Sequence, residues 1–444
     1  MVSPPVSQVA LQETSLSEVH SSVRLSSSPV FWRRLFGFVG PGFLISVGYM
    51  DPGNWATDIA GGSQFGYTLL FVIMLSNLMA ILLQSLSLKL GIATERDLAQ
   101  LCREHYGRAT SFVLWILAEI AIAACDLAEV IGSAIALQLL FHIPLLLGVL
   151  ITGLDVLLIL FLQRWGFRYI EALVIALIGA IIALFGVQMF LSRPDYWPAL
   201  RSLVAPSAAI VTNPEMLYIA IGILGATVMP HNLYLHSSIV QSRRYQRTPE
   251  GKREAIHFAN IDSALALTIA LFVNAAILIV AAAVFHRSGH FEVAAIQDAY
   301  KLLSPLVGVA GASSLFAIAL LASGQNSSIT GTLAGQVVME GFVHIKLSPW
   351  LRRLITRSLA IAPTIIVVAL AGEQGTEKLL ILSQVILSFQ LSFAVVPLVV
   401  FTGDRAKMGE FTNGRGLQIL SWITAIAIAG LNVWLLVQTF SGRT

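Results

Sequence analysis

Charge is what this sequence has least of. Only 11% of its 444 residues are Asp, Glu, Lys or Arg, less than half of the roughly 25% that coats a soluble domain. Much of the surface must therefore face something other than water, and lipid is the obvious candidate. Cysteine is scarce too. Cys102 and Cys125 make no CxxC pattern and no disulfide framework. No HExxH motif is present, and the acids and histidines fit no catalytic triad spacing, which argues against a membrane protease and against an enzyme generally. A net charge of +3 is too small to suggest nucleic acid as a partner. Residues 1–34 are rich in Ser, Val and Pro and hold no apolar core of signal-peptide length, so they read as a disordered cytoplasmic tail.

Long apolar runs are what the sequence does have. A helix needs about 20 apolar residues to cross the hydrocarbon core. Eleven stretches qualify, near 36–64, 67–91, 110–140, 144–163, 169–191, 213–240, 257–285, 310–338, 354–372, 378–401 and 417–440. They are called spans 1 to 11 below. With the N-terminus inside, only Arg193, Arg201, Arg287, Lys301, Lys378 and Arg443 fall on the outer face, and the other 21 of the 27 Lys and Arg are cytoplasmic. This agrees with the positive-inside rule. The expectation is an all-α polytopic protein of the cell (inner or plasma) membrane, with the N-terminus in and the C-terminus out.

Two spans carry residues that an unbroken helix would not choose. Span 1 holds Asp51-Pro52-Gly53-Asn54, and span 6 holds Gly225 followed by Met229-Pro230-His231-Asn232. Proline removes a donor and clashes with the preceding turn, and glycine adds backbone freedom. Proline alone suggests a kink, but a kink needs no carboxylate, and a charge at mid-membrane depth costs at least about 2.5–3.5 kcal/mol. The breaks lie five spans apart, an odd number, so the two halves have opposite orientations. Paired interruptions of this kind point to an inverted-repeat transporter with its site at the midplane, where unwound backbone lines a cavity. The expected units are repeat 1 over 35–205 (spans 1–5), repeat 2 over 206–403 (spans 6–10), and an additional span 11 in 404–444.

The breaks offer a carboxylate from Asp51, an amide oxygen from Asn54, a thioether from Met229 and backbone carbonyls around Ala226. Mg²⁺ and Ca²⁺ prefer all-oxygen shells, whereas softer first-row ions and Cd²⁺ accept sulfur. Met229 therefore favours Mn²⁺, Fe²⁺, Co²⁺ or Cd²⁺ and disfavours a Mg²⁺-selecting relative. Asp51 would repel the carboxylate of an amino-acid substrate, which weighs against a sodium-coupled amino-acid symporter. A passive channel requires no paired breaks.

The segments "MDPGNWATDIAGG" and "GATVMPHNLYLHSSIVQSR" resemble the signature segments of the Nramp family of divalent-metal transporters. So do "DLAEVIGSAIAL", "LLASGQNSSITGTLAGQVVMEGF" and "RRLITR", and the resemblance runs in order over residues 35–440. It implies a leucine-transporter-like 5+5 fold and metal import with proton cotransport by alternating access. Metal contacts are implied from Asp51, Asn54, Met229 and the Ala226 carbonyl, with Gln384 of span 10 as a further, conformation-dependent contact. The metal ion and protons are then substrates, no resident cofactor is implied, and one chain suffices for transport. Two departures are visible. Ser392 stands where the family usually has proline, and Cys125 where threonine is common.

Span 3 carries Glu119, Asp126 and Glu129. Relative to Glu119, Asp126 lies about 20° and Glu129 about 80° around the helix, so all three share one side. Acids on one face of a membrane helix look inward, toward water or cations. By the resemblance, Arg243 and Arg353 join them in a network toward the cytoplasm. His231, two residues past Met229, is of the residue type that can titrate near neutral pH. The proton route expected from these residues begins at Asp51, with His231 and Glu129 nearby, and leaves along Asp126 and its arginine partner. His236, Asp155, Asp262, Gln84, Gln325, Asn326 and Thr330 are expected to hold helices together by hydrogen bonds.

Overall fold

The structure is a computed structural model that describes residues 15–16, 19–25, 30–153, 166–293, 295–343 and 349–440. A two-residue strand β1 (Val23–Arg24) precedes α1 (Phe31–Phe38), α2 (Pro41–Gly48), α3 (Pro52–Phe65), α4 (Leu70–Thr94), α5 (Leu98–His105), α6 (Arg108–Phe141) and α7 (Leu145–Thr152). Next come α8 (Phe167–Ser192), α9 (Tyr196–Val204), α10 (Ala209–Thr212), α11 (Pro214–Thr227), α12 (Pro230–Ile239) and the strand β2 (Arg243–Arg244). The chain ends with α13 (Pro249–Ala281), α14 (Ile296–Val307), α15 (Ala312–Val343), α16 (Pro349–Gly403), α17 (Arg405–Met408) and α18 (Arg415–Phe440).

Among the described residues, seven helical segments are long and apolar enough to cross a bilayer, where eleven spans are expected. The difference has local causes. Span 1 is split into α2 and α3, each short of a full crossing. Half of span 4, including Asp155, lies outside the described residues. Span 8 is the long helix α15, whose Ser, Gly, Asn and Gln dilute its hydropathy. Spans 9 and 10 are not separated: α16 runs as one helix from Pro349 to Gly403, with Pro363 and Pro397 inside it. The polar stretch between them, Gly372-Glu373-Gln374-Gly375, contains no proline and two good helix formers.

Both expected breaks are present. Span 1 stops at Gly48 and restarts at Pro52, and span 6 stops at Thr227 and restarts at Pro230. The segment Pro214–Ser242 is central, with 94% of its apolar window buried, whereas Phe167–Ser192 and Arg415–Gln438 bury 33% and leave most of theirs outward. Trp55 of α3 anchors the first break, packed edge-on against Phe185 of α8 and Phe316 of α15 at 4.9 and 5.1 Å between ring centroids.

Part of the expected tail has a defined place. Leu16 and Val23 are buried, and β1 pairs in parallel with β2. Helix α1 begins within the 1–34 segment. Its Leu35 and Phe38 are buried, and Phe38 stacks on Phe258 of α13 at 5.2 Å.

Candidate functional site: two helix breaks facing each other

The first break is a helix start made by its own sequence. Asp51 has extended backbone (φ −68°, ψ 165°) and caps α3, its Oδ1 accepting the Asn54 backbone N–H at 2.8 Å, while Pro52 occupies the first helical position. An Asp cap followed by Pro is a standard way to begin a helix. The second break repeats the plan with a different cap. Met229 (φ −61°, ψ 123°) precedes Pro230 at the start of α12, and its side chain caps nothing. All of Asp51, Asn54, Ala226, Met229 and Gln384 are at most 1% exposed, so the site is closed to both sides.

The geometry converges on Asn54. Its Nδ2 donates to Asp51 Oδ1 at 2.7 Å, to the Ala226 carbonyl at 3.0 Å and to the Gly48 carbonyl at 3.2 Å. The last residues of a helix have carbonyls without intrahelical partners. Here the ends of α2 and α11 aim two of them at one point, beside a carboxylate. Asn54 Oδ1 accepts from Asn274 Nδ2 of α13 at 3.2 Å. The second carboxylate oxygen of Asp51 has no hydrogen-bond partner among the described residues.

Met229 and Gln384 close on the same place. A β-carbon built on Gly48 would stand 3.0 Å from Met229 Sδ, which puts the sulfur against the end of α2. Gln384 lies against Gly53, where any side chain would collide with its amide, and its backbone carbonyl lies against Gly225. Only glycine lets α16 approach both breaks this closely. Ser392, in place of the usual proline, receives the Asn432 Nδ2 of α18 at 3.0 Å, and the same amide reaches the Ser388 carbonyl at 2.7 Å. Helix α16 passes Ser392 without interruption.

The acids of span 3 are partly gathered. Cys125 Sγ stands 3.6 Å from Glu129 Oε1 and 3.8 Å from His231 Nε2, so a thiol lies between those two residues. It also packs with Met229, Ala121 and Leu387. A β-carbon on Gly331 of α15 would be 3.0 Å from Glu129 Oε1 and 3.1 Å from Asp126 Oδ1, so glycine makes room for both acids. Glu119 lies farther out, accepting from Trp115 Nε1 at 3.0 Å. Arg243 is found elsewhere than expected. Its Nη1 donates to Glu171 Oε1 of α8 at 2.5 Å, and its Nη2 donates to the carbonyls of Phe38 and Val39 at 3.2 and 2.6 Å. A carboxylate on the neighbouring helix and two carbonyls at the start of span 1 hold this guanidinium. The side chain of Arg353 lies outside the described residues.

Matching against family models assigns residues 42–438 to Nramp, natural resistance-associated macrophage protein-like. The chain belongs to the Nramp family. Among curated relatives of this Nramp protein, a divalent metal cation transporter MntH of Nostoc sp. is 64% identical over 96% of this chain and 97% of its own length. An MntH of Listeria innocua is 63% identical, covering 96% and 95%. A solved variant of the Eremococcus coleocola manganese transporter superposes with a TM-score of 0.90 at 44% identity, covering 97% of this chain and 93% of that one. The nucleobase-cation symporter Mhp1 superposes at 0.60 with 16% identity, covering 88% and 90%, a likeness that bears on the fold alone.

Of the residues expected to act as glue, several do so. Gln84 donates to the Tyr49 hydroxyl at 3.0 Å and lies 2.9 Å from His236 Nδ1. Asp262 accepts the Gly40 and Gly42 N–H groups at 3.2 and 2.7 Å, capping α2 from α13. Asn326 Nδ2 donates to the Val174 carbonyl at 3.4 Å, while Thr330 bonds within its own helix. Sequence reasoning missed Gly48 and Asn274 as neighbours of the site. The first acts through its carbonyl, which no side chain announces, and the second is one asparagine in a long apolar helix. An asparagine at mid-span is itself a usable signal, because an amide there needs a partner.

Proposed function

We propose that this Nramp protein is a secondary active importer of divalent transition-metal ions, Mn²⁺ and Fe²⁺ with Cd²⁺ and Co²⁺ also accepted, driven by proton cotransport. The observation that carries the reading is the convergence of Asp51 Oδ1, the Ala226 carbonyl and the Gly48 carbonyl on the Asn54 amide. Three oxygens around one N–H donor group are arranged as they would be around a cation. When Asn54 turns to present Oδ1, the same oxygens can accept a metal, with Met229 supplying sulfur and Gln384 a further oxygen. The thioether discriminates against Mg²⁺ and Ca²⁺. The names of the relatives, divalent metal cation transporters and a manganese transporter, support the same cargo.

Competition for one carboxylate couples the two substrates, since a metal must displace a proton from its ligand. The proton route runs from Asp51 past His231, Cys125 and Glu129 to Asp126, and the spacing of these groups around Cys125 supports it. Arg243, held by Glu171, belongs to the cytoplasmic closure in this conformation, and Glu119 continues the acid face toward the cytoplasm, with Arg353 as its proposed partner there. Eleven spans with a cytoplasmic N-terminus, in the cell membrane, are the reading favoured by the charge alternation of the loops, with α16, at 55 residues far longer than one crossing needs, supplying spans 9 and 10. The two repeats over 35–205 and 206–403 follow from the paired breaks, and a single chain contains every residue the cycle requires.

The deciding experiment is uptake into proteoliposomes of Mn²⁺ and Cd²⁺ against competing Mg²⁺ and Ca²⁺, with an internal pH reporter. Uptake of Mn²⁺ that acidifies the lumen and ignores millimolar Mg²⁺ is expected. Equal competition by all four cations, or uptake with no proton movement, overturns the reading.

A further inference from the structure

The N-terminal segment lies across the cytoplasmic ends of the helices that enclose the site. Leu16 is 2% exposed, its N–H donating to Glu340 Oε2 near the end of α15 at 2.9 Å. Ser15 is buried beside Asp97, the cap of α5. A turn follows, with the Val19 N–H on the Leu16 carbonyl at 2.9 Å. The Ser21 N–H then donates to the Gln241 carbonyl at 3.0 Å, just past α12. His20 Nε2 accepts from Arg247 Nη2 at 2.9 Å. Finally β1 pairs with β2, Val23 opposite Arg243 and Arg24 opposite Arg244. Through Arg243 the pair is tied to the Phe38 and Val39 carbonyls, just before α2.

We propose that residues 15–16 and 19–25 belong to a releasable strap that locks the cytoplasmic side shut and must detach each time the cargo is delivered inward. The segment joins α15, α5 and the far end of α12, and through β2 the entrance to α2. These are separate elements around a site with no opening. Passage from the buried breaks to the cytoplasm requires at least α2 and α12, which carry the broken ends, to part from the helices beside them. A segment bonded to both sides of that seam resists the parting while bound. Two-residue strands and two buried aliphatic side chains make an attachment small enough to undo, since a short two-stranded pair is only marginally stable by itself. The inference rests on the proposed inward release by alternating access.

The register supplies the test. Arg24 and Arg244 face each other across the parallel pair and are both exposed, so cysteines there fall within disulfide reach without entering the site. In proteoliposomes, R24C/R244C is expected to take up Mn²⁺ normally when reduced, to lose at least tenfold of the rate on oxidation, and to recover on reduction. Each single variant should ignore the oxidant. Undiminished uptake with the bridge formed overturns the strap, because the segment then stays bound throughout the cycle. A loss that reduction does not reverse overturns it as well, as the substitutions themselves would be at fault. Absence of uptake by the reduced parent chain instead defeats the transport reading, so the two failures are distinct. A second measurement needs no transport. Q241C, buried beneath the strap, should react several-fold faster with a water-soluble maleimide when combined with L16D, and an unchanged rate counts against the proposal.

Discussion

The two breaks use one backbone device and opposite chemistry. At the first, Asp51 caps α3 with its own side chain, and the hydrogen bonds of the Asn54 side chain go to oxygens or come from an amide. At the second, Met229 caps nothing, and Thr227 Oγ1, His231 Nδ1 and Asn232 Oδ1 have no hydrogen-bond partner among the described residues. Buried polar atoms are ordinarily satisfied, and leaving one unpaired costs roughly 1–3 kcal/mol. The first break is thus hard, with only the second Asp51 carboxylate oxygen left unpartnered among its own side chains, whereas the second leaves three polar atoms unpaired beside a soft thioether. The comparison teaches that Pro at the first helical position fixes where a helix restarts, while the residue before it decides what the restart can bind.

The largest effect that would break this comparison is at the carboxylate. Asp51→Asn keeps an N-cap side chain and should leave detergent stability within about 1 kcal/mol, yet lower Mn²⁺ uptake at least 100-fold. Uptake within threefold of the parent would show that the charge is not the centre of the site. Met229→Ala should behave in the reverse sense. Emptying a buried methionine's volume typically costs about 2–5 kcal/mol, read as a lowered melting temperature, while Mn²⁺ uptake falls only about tenfold and Ca²⁺ begins to compete. Met229→Leu, similar in volume, restores stability but not the rejection of Ca²⁺; if it restores both, sulfur has no part in selectivity.

A smaller effect should follow from Glu129→Gln, which keeps shape and removes charge. Metal-driven acidification should fall by about an order of magnitude with metal binding changed severalfold at most, and both fluxes matching the parent would remove Glu129 from the route. The smallest is Asn274→Ala, which frees Asn54 Oδ1 without touching the other oxygens. A two- to fivefold shift in the apparent affinity for Mn²⁺, with little change in maximal rate, is expected from equilibrium binding and uptake together.

Much of this arrangement was legible in the sequence because the signals contradicted their surroundings. Asp-Pro-Gly-Asn and Met-Pro-His-Asn inside apolar runs are costly unless used, and both mark breaks in the fold. Contacts made by backbone were not legible. Nothing in Gly48 or Ala226 as residue types says that their carbonyls point at Asn54. Arg243 was assigned to the acids of span 3 by the resemblance, but Glu171, three residues from Arg168 at a span end, reads as an ordinary surface acid and is in fact buried against Arg243. The join of spans 9 and 10 was hidden for the opposite reason. Gly372 to Gly375 looks like a loop by polarity, and the helix nonetheless continues through it. The buried place of Leu16 and Val23 was unreadable because a Ser- and Pro-rich stretch gives no periodicity.

The Asn54 amide has a meaning for the half of the cycle in which nothing is carried. A carrier must return without its load, and bare oxygens crowded together would repel one another and hold the two half-helices apart. One NH₂ group, neutral and already attached to the wall, shares its two hydrogens among all three oxygens. Under the proposed function it is an internal understudy for the ion, by which the unloaded protein would shut and reset without borrowing a cation from solution. A side chain that cannot donate at this position should therefore slow the empty return more than the loaded stroke.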